Sequence, residues 1–219
     1  MHIFRKIFLW LVNIFFPESC GGCNKSGTLL CEKCLSVIPR TARPTQSFIT
    51  AIFDYRNPGL RRAIWKFKYK NVRSVAGYFG EKLYEEILGD LGEGLHISKN
   101  EKFLLLPIPL HKKRERARGY NQSELLAREI IRHDTGKMFE MTPKALTRSR
   151  ATNAQAKSIK RDARFENLRD AFVATPALVH RKHIILIDDV TTTGATLIEA
   201  RKTLLKAGAR SVRAYTVAH

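Results

Sequence analysis

The pattern of hydrophobic and polar positions predicts strands and helices in alternation after residue 48. Uninterrupted apolar runs, such as 103–106 and 184–187, are typical of strands covered on both faces, as in a parallel sheet. Apolar positions at helical spacing separate these runs. The predicted strands are 48–55, 103–106, 184–187 and 211–218, and the predicted helices are 61–69, 76–91, 121–131 and 196–207. This order predicts an α/β fold with an open parallel sheet.

Breaks in the periodicity predict the domain boundaries. Two prolines and intervening polar residues interrupt regular structure at 39–47, so we expect a small N-terminal module, 1–40, and a larger domain, 41–219. The Gly- and Asp-containing segment 89–100 is a predicted loop. Within the larger domain, 48–100 is the candidate hood over a ligand site and carries many of the basic residues.

All four cysteines of the chain lie in one window, as the two Cys-x2-Cys pairs Cys20, Cys23, Cys31 and Cys34. Two such turns bring four thiolates together, which is typical of a structural zinc site. Gly21, Gly22 and Gly27 supply the tight turns that the site needs. The alternatives are disulfides or ordinary buried thiols. Four thiolates leave no open position on the metal, so no hydrolytic chemistry is expected there.

The N-terminal stretch 7–16 is apolar and follows two basic residues, but it lacks a signal-peptide cleavage site and is too short to span a bilayer. We therefore expect a cytoplasmic protein with reduced thiols, in which this stretch is a helix packed on the zinc module. The alternative is contact with the inner face of the membrane, through Phe4, Phe8, Trp10 and Phe15.

Charge narrows the choice of partners. The 39 Lys and Arg residues outnumber the 20 Asp and Glu residues, which gives a net charge of +19 and an attraction for polyanions. Segment 56–73 holds seven of these cations and no acid, interleaved with aromatic residues. It is either a helix with a solvated basic face or a surface for single-stranded nucleic acid. The candidate DNA contacts are Arg61, Arg62, Lys66, Lys68 and Lys70.

Two segments combine a strand, a turn and a helix in a way that favours anion binding. After the strand from 103, the basic segment 112–118 is predicted as a loop that ends at Gly119, and Asn121 with Glu124 resembles a capping box. Free amides at the start of that helix would face the same way as the arginines.

The second segment follows the strand 184–187. Asp188 and Asp189 stand at its carboxyl end, where open α/β sheets bind ligands. A Thr- and Gly-rich turn follows, in which Gly194 permits close approach of the backbone and Thr196 with Glu199 has capping-box spacing. Amides and hydroxyls would take a phosphate, and the carboxylates would accept from sugar hydroxyls or order a hydrated Mg2+.

The sequence IILIDDVTTTGAT resembles the phosphoribosyl-pyrophosphate (PRPP) loop of type I phosphoribosyltransferases. The four-cysteine module together with KFKY, PIPLHKKRERARGYNQSELLA, RFENLRDAF and DDVTTTGATL is similar to the ComF/GntX family over nearly the whole chain. This resemblance implies a type I phosphoribosyltransferase-like sheet with helices on both faces, a zinc finger, and a role in natural transformation and the use of external DNA.

The resemblance also implies roles for particular residues. Asp188 and Asp189 would contact the ribose hydroxyls and, indirectly, Mg2+. The phosphate would be held by Thr191, Thr192, Thr193, Gly194, Ala195 and Thr196. Pyrophosphate would lie on the loop with Arg114, Arg116, Arg118 and Gly119. A flexible loop within 147–164 would close over PRPP with Arg148, Arg150, Lys157 and Arg164, unless it is only an exposed loop.

Two features leave the reaction open. Thr192 stands where purine-salvage relatives often have an acid, and the final strand is followed by no hood for a base, so neither a purine acceptor nor a catalytic base is identified. Three functions remain: a PRPP- and single-strand-binding competence protein, an active phosphoribosyltransferase with an unidentified acceptor, and a silent scaffold of the uptake machinery. Recombination or uptake proteins are the expected protein partners.

Overall fold

The computed structural model describes residues 19–41, 46–69, 75–94, 102–149 and 170–219. Its strands are β1 Ile49–Phe53, β2 Phe103–Pro107, β3 Phe139–Met141, β4 Leu146–Arg148, β5 Phe172–Ala174, β6 His183–Val190 and β7 Ser211–Ala218. Its helices are α1 Glu32–Ser36, α2 Pro58–Tyr69, α3 Val75–Gly94, α4 Lys112–Arg118, α5 Gln122–His133, α6 Pro176–Val179 and α7 Ala195–Lys206.

Five strands form one parallel sheet in the order β1-β7-β6-β2-β3, which confirms the predicted α/β class. At its centre β2 pairs with β6, with Leu105 opposite Ile185. From β2 the chain continues through α5 to β3 on one side, and from β6 through α7 to β7 on the other. Such a switch in direction opens a crevice at the carboxyl ends of the two strands, where open α/β sheets bind ligands.

The core lies on both faces of this sheet, because successive residues of a strand point in opposite directions. In β6, Ile185 and Ile187 pack in the cluster that contains residues of α2, α3 and α5. Ile184 and Leu186 pack in a second cluster with residues of α7. The uninterrupted apolar run of β6 follows from this burial on both faces.

The four-cysteine module is continuous with the main core. Leu29, Leu30 and Leu35 of the module belong to the same cluster as Leu60 and Ile64 of α2. The backbones are also in close contact, since a Cβ added to Gly21 would lie 2.6 Å from the carbonyl oxygen of Gly59. The module therefore packs directly against the start of α2.

Three predicted boundaries differ from the structure. Helix α3 extends to Gly94, so the first part of the predicted loop 89–100 is helical. Segment 112–118 is also a helix rather than a loop, because His111 accepts a hydrogen bond from the backbone N–H of Lys113 and Gly119 ends the helix at φ +79°. Helix α7 begins at Ala195, without the predicted capping box: the carboxylate of Glu199 accepts instead from the N–H of Asp170.

Several sequence predictions lie outside the described residues. They are the N-terminal helix with Phe4, Phe8, Trp10 and Phe15, the DNA contact Lys70, and the flexible-loop residues Arg150, Lys157 and Arg164. Strands β4 and β5, which flank 150–169, pair antiparallel as a separate two-stranded ribbon. Among the helices within the described ranges, none has the length and apolar character needed to cross a bilayer.

Candidate functional site

A small pocket lies where β6 passes into α7. It has a volume of about 60 Å3, and it is lined by Asp188, Val190, Thr191, Thr192, Thr193, Gly194, Ala195, Thr196 and Leu197. Gly194 is required here because it lies at φ +75°, and an added Cβ would be 3.2 Å from Cδ1 of Ile49. The first turn of α7 has N–H groups without partners inside the helix, so the pocket suits an anionic group.

Asp188 is anchored from the neighbouring helix. Its Oδ1 atom accepts hydrogen bonds from Ser123 Oγ of α5 at 2.9 Å and from the backbone N–H of Asp189 at 2.9 Å. Burial and the adjacent Asp189 raise the pKa of the Asp188 carboxyl to about 7, although Lys68 and the two hydrogen bonds act in the opposite direction. Asp188 is thus fixed in position and titrates near neutral pH.

Asp189 carries an ion pair that reaches the site from α2. Lys68 Nζ lies 3.0 Å from Asp189 Oδ1, and the two side chains are 20% and 9% exposed. Burial disfavours the ammonium form, but the attraction of Asp189 and Asp188 raises the pKa of Lys68 overall. Lys68 is one of the predicted DNA contacts, and in the structure its ammonium is directed at the acidic pair at the end of β6.

Positive charge also reaches the site from β4 and α4. Burial lowers the pKa of the Arg148 guanidinium, and nearby Arg114 lowers it further while Asp188 raises it, so Arg148 interacts with both groups. A cavity of about 250 Å3 opens beside them at the carboxyl end of β2. Its lining includes the cations Lys112, Lys144 and Arg148 and the acids Glu115 and Glu124.

The other arginines of α4 point elsewhere. The guanidinium of Arg118 lies over the ring of Tyr69 at 5.0 Å from its centroid and donates to Gln122 Oε1 at 2.9 Å. Arg116 is exposed on the outside of the short helix. Arg148 is therefore the predicted arginine that interacts with both Arg114 and Asp188, whereas Arg116 is exposed and Arg118 contacts Tyr69 and Gln122.

Helix α2 presents an aromatic and basic outer face. Trp65 and Tyr69 are 50% and 57% exposed, with ring centroids 5.8 Å apart, and Arg61 and Arg62 are exposed one turn earlier. Ile64 and Phe67 of the same helix are fully buried. Lys66 is half-buried, and its ammonium donates to the carbonyl oxygen of Ser19 at 2.7 Å.

The four cysteine sulfurs fit one metal ion. All lie within 4.8 Å of one another, with Cys20 Sγ to Cys31 Sγ at 3.8 Å and Cys23 Sγ to Cys31 Sγ at 3.6 Å. Sulfurs at the corners of a tetrahedral thiolate site with metal–sulfur bonds of about 2.3 Å are separated by about 3.8 Å. Burial opposes a thiolate at Cys20, but N–H groups of Cys23, Cys31 and Gly22 lower its pKa to about 6. This cluster could hold a metal ion.

Sequence reasoning missed two residues of the pocket. Lys68 gave a usable signal, because it falls on the apolar stripe of α2 that contains Leu60, Ile64 and Phe67, and a cation in such a stripe needs a buried partner. Ser123 gave no signal, because its contact with Asp188 depends on how α5 packs beside β6.

The parallel sheet with its crossover helices, the turn at Gly194 and the acidic pair define a type I phosphoribosyltransferase-like domain. In agreement, the phosphoribosyl transferase domain family matches residues 126–219. Among solved structures, glutamine PRPP amidotransferase from Bacillus subtilis, complexed with ADP and GMP, aligns with 66% of this chain and 26% of its own, at TM-score 0.40 and 17% identity.

Relatives extend the match to almost the full length. DNA utilization protein YhgH of Escherichia coli (strain K12) is 31% identical over 203 residues, 90% of this chain and 82% of the relative. Competence protein F of Haemophilus influenzae is 28% identical, over 93% of this chain and 85% of its own. Competence protein ComFC of Bacillus subtilis is 33% identical, over 76% and 62%. The chain belongs to the ComF family.

Proposed function

We propose that this protein binds PRPP or a related phosphoribosyl ligand together with Mg2+, that it binds single-stranded DNA on helix α2, and that it acts in natural transformation. Its relatives are named for competence and for DNA utilization. The observation that carries the proposal is the arrangement at the end of β6: an anion pocket, two carboxylates and the ammonium of Lys68 lie at one switch point of the sheet.

The parts of this site match the parts of a sugar phosphate. The turn before α7 suits the 5-phosphate because amides and short hydroxyls surround a small concave space. Asp188 and Asp189 suit the vicinal hydroxyls, since a carboxylate accepts hydrogen bonds from them. Arg114 and Arg148 provide positive charge for a pyrophosphate group.

The donor set is also compatible with Mg2+. Carboxylate oxygens are the ligands that Mg2+ prefers, and Mg2+ keeps several waters and commonly bridges to the phosphates of a substrate. Asp188 and Asp189 would hold such a hydrated ion beside the ligand. When bound, the metal would neutralise charge on the pyrophosphate.

Zinc is the metal that we propose for the four-cysteine cluster, because tetrahedral sites of four thiolates favour zinc. A site with four protein ligands has no open position for substrate, so the ion is structural. Its task is to hold the module against the start of α2, where Gly21 contacts Gly59.

Calorimetric titration with PRPP and Mg2+ tests the pocket. We expect saturable binding by the wild-type protein and its loss when Asp188→Asn is combined with Asp189→Asn. Glu140→Gln is the matched control, because this exposed acid pairs with Lys102, away from the pocket. Absence of specific heat in the wild-type protein would exclude a phosphoribosyl ligand of this class.

The outer face of α2 supports the DNA part of the proposal. Exposed aromatic rings can stack on unpaired bases, and exposed arginines can pair with phosphates. Trp65 and Tyr69 provide the rings, and Arg61 and Arg62 provide the exposed cations on the same helix.

Fluorescence anisotropy with a labelled single-stranded oligonucleotide tests that face. We expect affinity to fall steeply between about 50 mM and about 200 mM salt, and Arg61→Glu with Arg62→Glu to weaken binding and reduce the salt slope by about 1 per lost phosphate contact. The control reverses the same charge at two exposed lysines of α7, Lys202→Glu and Lys206→Glu. An equal loss of affinity in both variants would mean that binding depends only on net charge, and it would contradict the assignment of the DNA-binding face to α2.

Phosphoribosyl transfer is the second candidate function. The observation that favours it is the cavity of about 250 Å3 beside Arg148, which leaves room for a leaving group or an acceptor at the same edge of the sheet. Pyrophosphate release from PRPP and Mg2+ across a panel of amine, base and nucleic-acid acceptors is the test. Release that depends on one acceptor, and that Asp188→Asn with Asp189→Asn abolishes, would establish a transferase.

A further inference from the structure

Lys68 is a largely buried cation to which the proposed ligand scheme assigns no contact with the ligand. Its ammonium lies 3.0 Å from Asp189 Oδ1, and only 20% of its side chain is exposed. Asp188, by contrast, is held by Ser123. The acidic pair thus has two different anchors: a hydroxyl on Asp188 and a full positive charge on Asp189.

The helix fixes this charge in the pocket. The backbone carbonyl of Phe67 accepts a hydrogen bond from the hydroxyl of Tyr120, and the carbonyl of Lys68 accepts from Gln122 Nε2 at 3.3 Å. Both donors stand at the start of α5, next to Ser123. The end of α2 is therefore tied to the same helix that anchors Asp188, which fixes the backbone position from which the Lys68 side chain reaches Asp189.

We infer that Lys68 is a ligand-binding residue of the phosphoribosyl pocket and supplies, from the protein itself, part of the positive charge that a divalent cation would otherwise provide. This inference rests on the proposed function. A lysine ammonium has three N–H donors, and Asp189 Oδ1 takes one of them. Within the described part of the chain the other two N–H groups meet no acceptor, and a ribose hydroxyl or phosphate oxygens of the ligand would accept them.

The charges at the site support the inference that Lys68 and Mg2+ each provide part of the positive charge for the ligand. A second cation placed directly on Asp189 would be repelled by the ammonium 3.0 Å away from that carboxylate. Mg2+ would then be bound directly by the ligand's own pyrophosphate, and Asp188 and Asp189 would hold it only through its waters. A phosphoribosyl compound without pyrophosphate, such as ribose 5-phosphate, should bind in the absence of a divalent metal.

Calorimetric titration of the zinc-loaded full chain with ribose 5-phosphate and with PRPP, in magnesium-free buffer and again with Mg2+, tests the inference. The variant is Lys68→Met, which keeps an unbranched side chain one atom shorter and removes its charge. The control is Lys82→Met on α3, which removes a cation that pairs with Glu85 away from the pocket. Thermal denaturation of each variant checks that it is folded.

We expect the wild-type protein and the Lys82→Met control to bind ribose 5-phosphate without Mg2+, and Lys68→Met to bind it more weakly by about tenfold or more. For PRPP, the affinity of Lys68→Met should be closer to that of the wild-type protein with Mg2+ than without it. If Lys68→Met fails to fold, Lys68→Gln replaces it, because its amide still donates to Asp189 but carries no charge; the same dependence on metal is expected.

The outcomes separate the two proposals. Wild-type binding with unchanged or tighter binding by the Lys68 variant, in both buffers, would overturn the inference alone, because Lys68 would then be a structural partner or an obstruction. Lys68→Met could also lose the same fraction of its PRPP affinity with and without Mg2+. That result would overturn the inference that Lys68 supplies charge in place of the metal. Absence of any wild-type binding to PRPP with Mg2+ would overturn the proposed function and the inference together.

Discussion

At the scale of single residues, the charge state of the site depends on side chains from three elements. Ser123 of α5 holds Asp188, Lys68 of α2 pairs with Asp189, and both acids lie at the end of β6. The two carboxylates are adjacent in sequence but differ in environment. Asp188 has a pKa raised to about 7, whereas Asp189 has a cation 3.0 Å away. The same substitution at the two positions should therefore have opposite effects on stability.

Asp188→Asn should raise the free energy of unfolding near pH 8. The folded-state pKa of about 7 is above that of an unfolded aspartate, so the wild-type carboxyl favours folding when protonated and loses that contribution as pH rises toward 7. Asparagine removes the buried charge and can still accept from Ser123. We expect a gain of roughly 1–3 kcal/mol at about pH 8 that shrinks toward about pH 5.5. Urea denaturation across this range measures it.

Asp189→Asn should destabilise the protein at every pH in that range. It leaves the ammonium of Lys68 buried without its counter-charge, which typically costs about 3 kcal/mol or more. Asp188→Asn and Asp189→Asn are measured in the same urea series. Each replaces a carboxylate with an amide, so any effect of that replacement alone on the free energy of unfolding is common to both variants. Stabilisation by Asp189→Asn would show that Lys68 is held by other groups.

The contrast between Lys68 and Ser123 shows which contacts of the site could be predicted from the amino-acid sequence. Lys68 breaks the apolar stripe of α2, so its burial could be inferred from helical periodicity. Asp188, Asp189 and Gly194 were predictable because the strand, acids and turn are contiguous in the chain. The contact from Ser123 is separated by 65 residues from Asp188 and exists only because α5 packs beside β6.

At the scale of elements, two short turns determine where side chains point. Gly194 at φ +75° turns β6 into α7 and shapes the anion pocket, and Gly119 at φ +79° ends α4. The predicted loop 112–118 is helical because it is capped at both ends, a property that its high charge concealed. As a result Arg116 and Arg118 point away from the position where Arg114 lies.

Gly194→Ala should destabilise the fold by roughly 1–2 kcal/mol, since alanine is strained at positive φ and its Cβ would press on Ile49. Ligand binding should also weaken, because the backbone N–H groups of the turn would shift. Gly89→Ala in α3 is the matched control: nothing lies within 4 Å of its added Cβ, and alanine favours helix by about 0.5–1 kcal/mol. Thermal denaturation and PRPP titration of both variants measure these effects.

At the scale of the whole molecule, the four-cysteine module and the sheet share one core. Leu30 and Leu35 of the module pack in the same cluster as Phe67 of α2 and Ile187 of β6. The sequence predicted two structural units from the prolines at 39–47, and their common packing became visible only in three dimensions. Loss of the proposed zinc ion should therefore affect the described core as a whole rather than the module alone.

Cys23→Ser should abolish binding of the proposed zinc ion and lower the melting temperature in a single shifted transition. A serine hydroxyl is a poor zinc ligand, and loss of the module loosens its packing on α2. Elemental analysis and calorimetric melting measure the two effects, with Ser36→Ala at an exposed position of the module as control. A separate early transition, with the main melting unchanged, would show that the module unfolds independently.

Helix α2 touches three parts of its surroundings within about three turns: the four-cysteine module at Gly59, the solvent through Trp65, and the acidic pair through Lys68. Trp65 and Lys68 are three residues apart on one helix, so a movement of that helix shifts the backbone of both residues. A ligand whose binding moves the end of α2 would therefore move the indole as well. Coupling between two binding sites is reciprocal: if a ligand in the pocket changes the affinity of the outer face of α2, a ligand on that face changes the affinity of the pocket by the same factor.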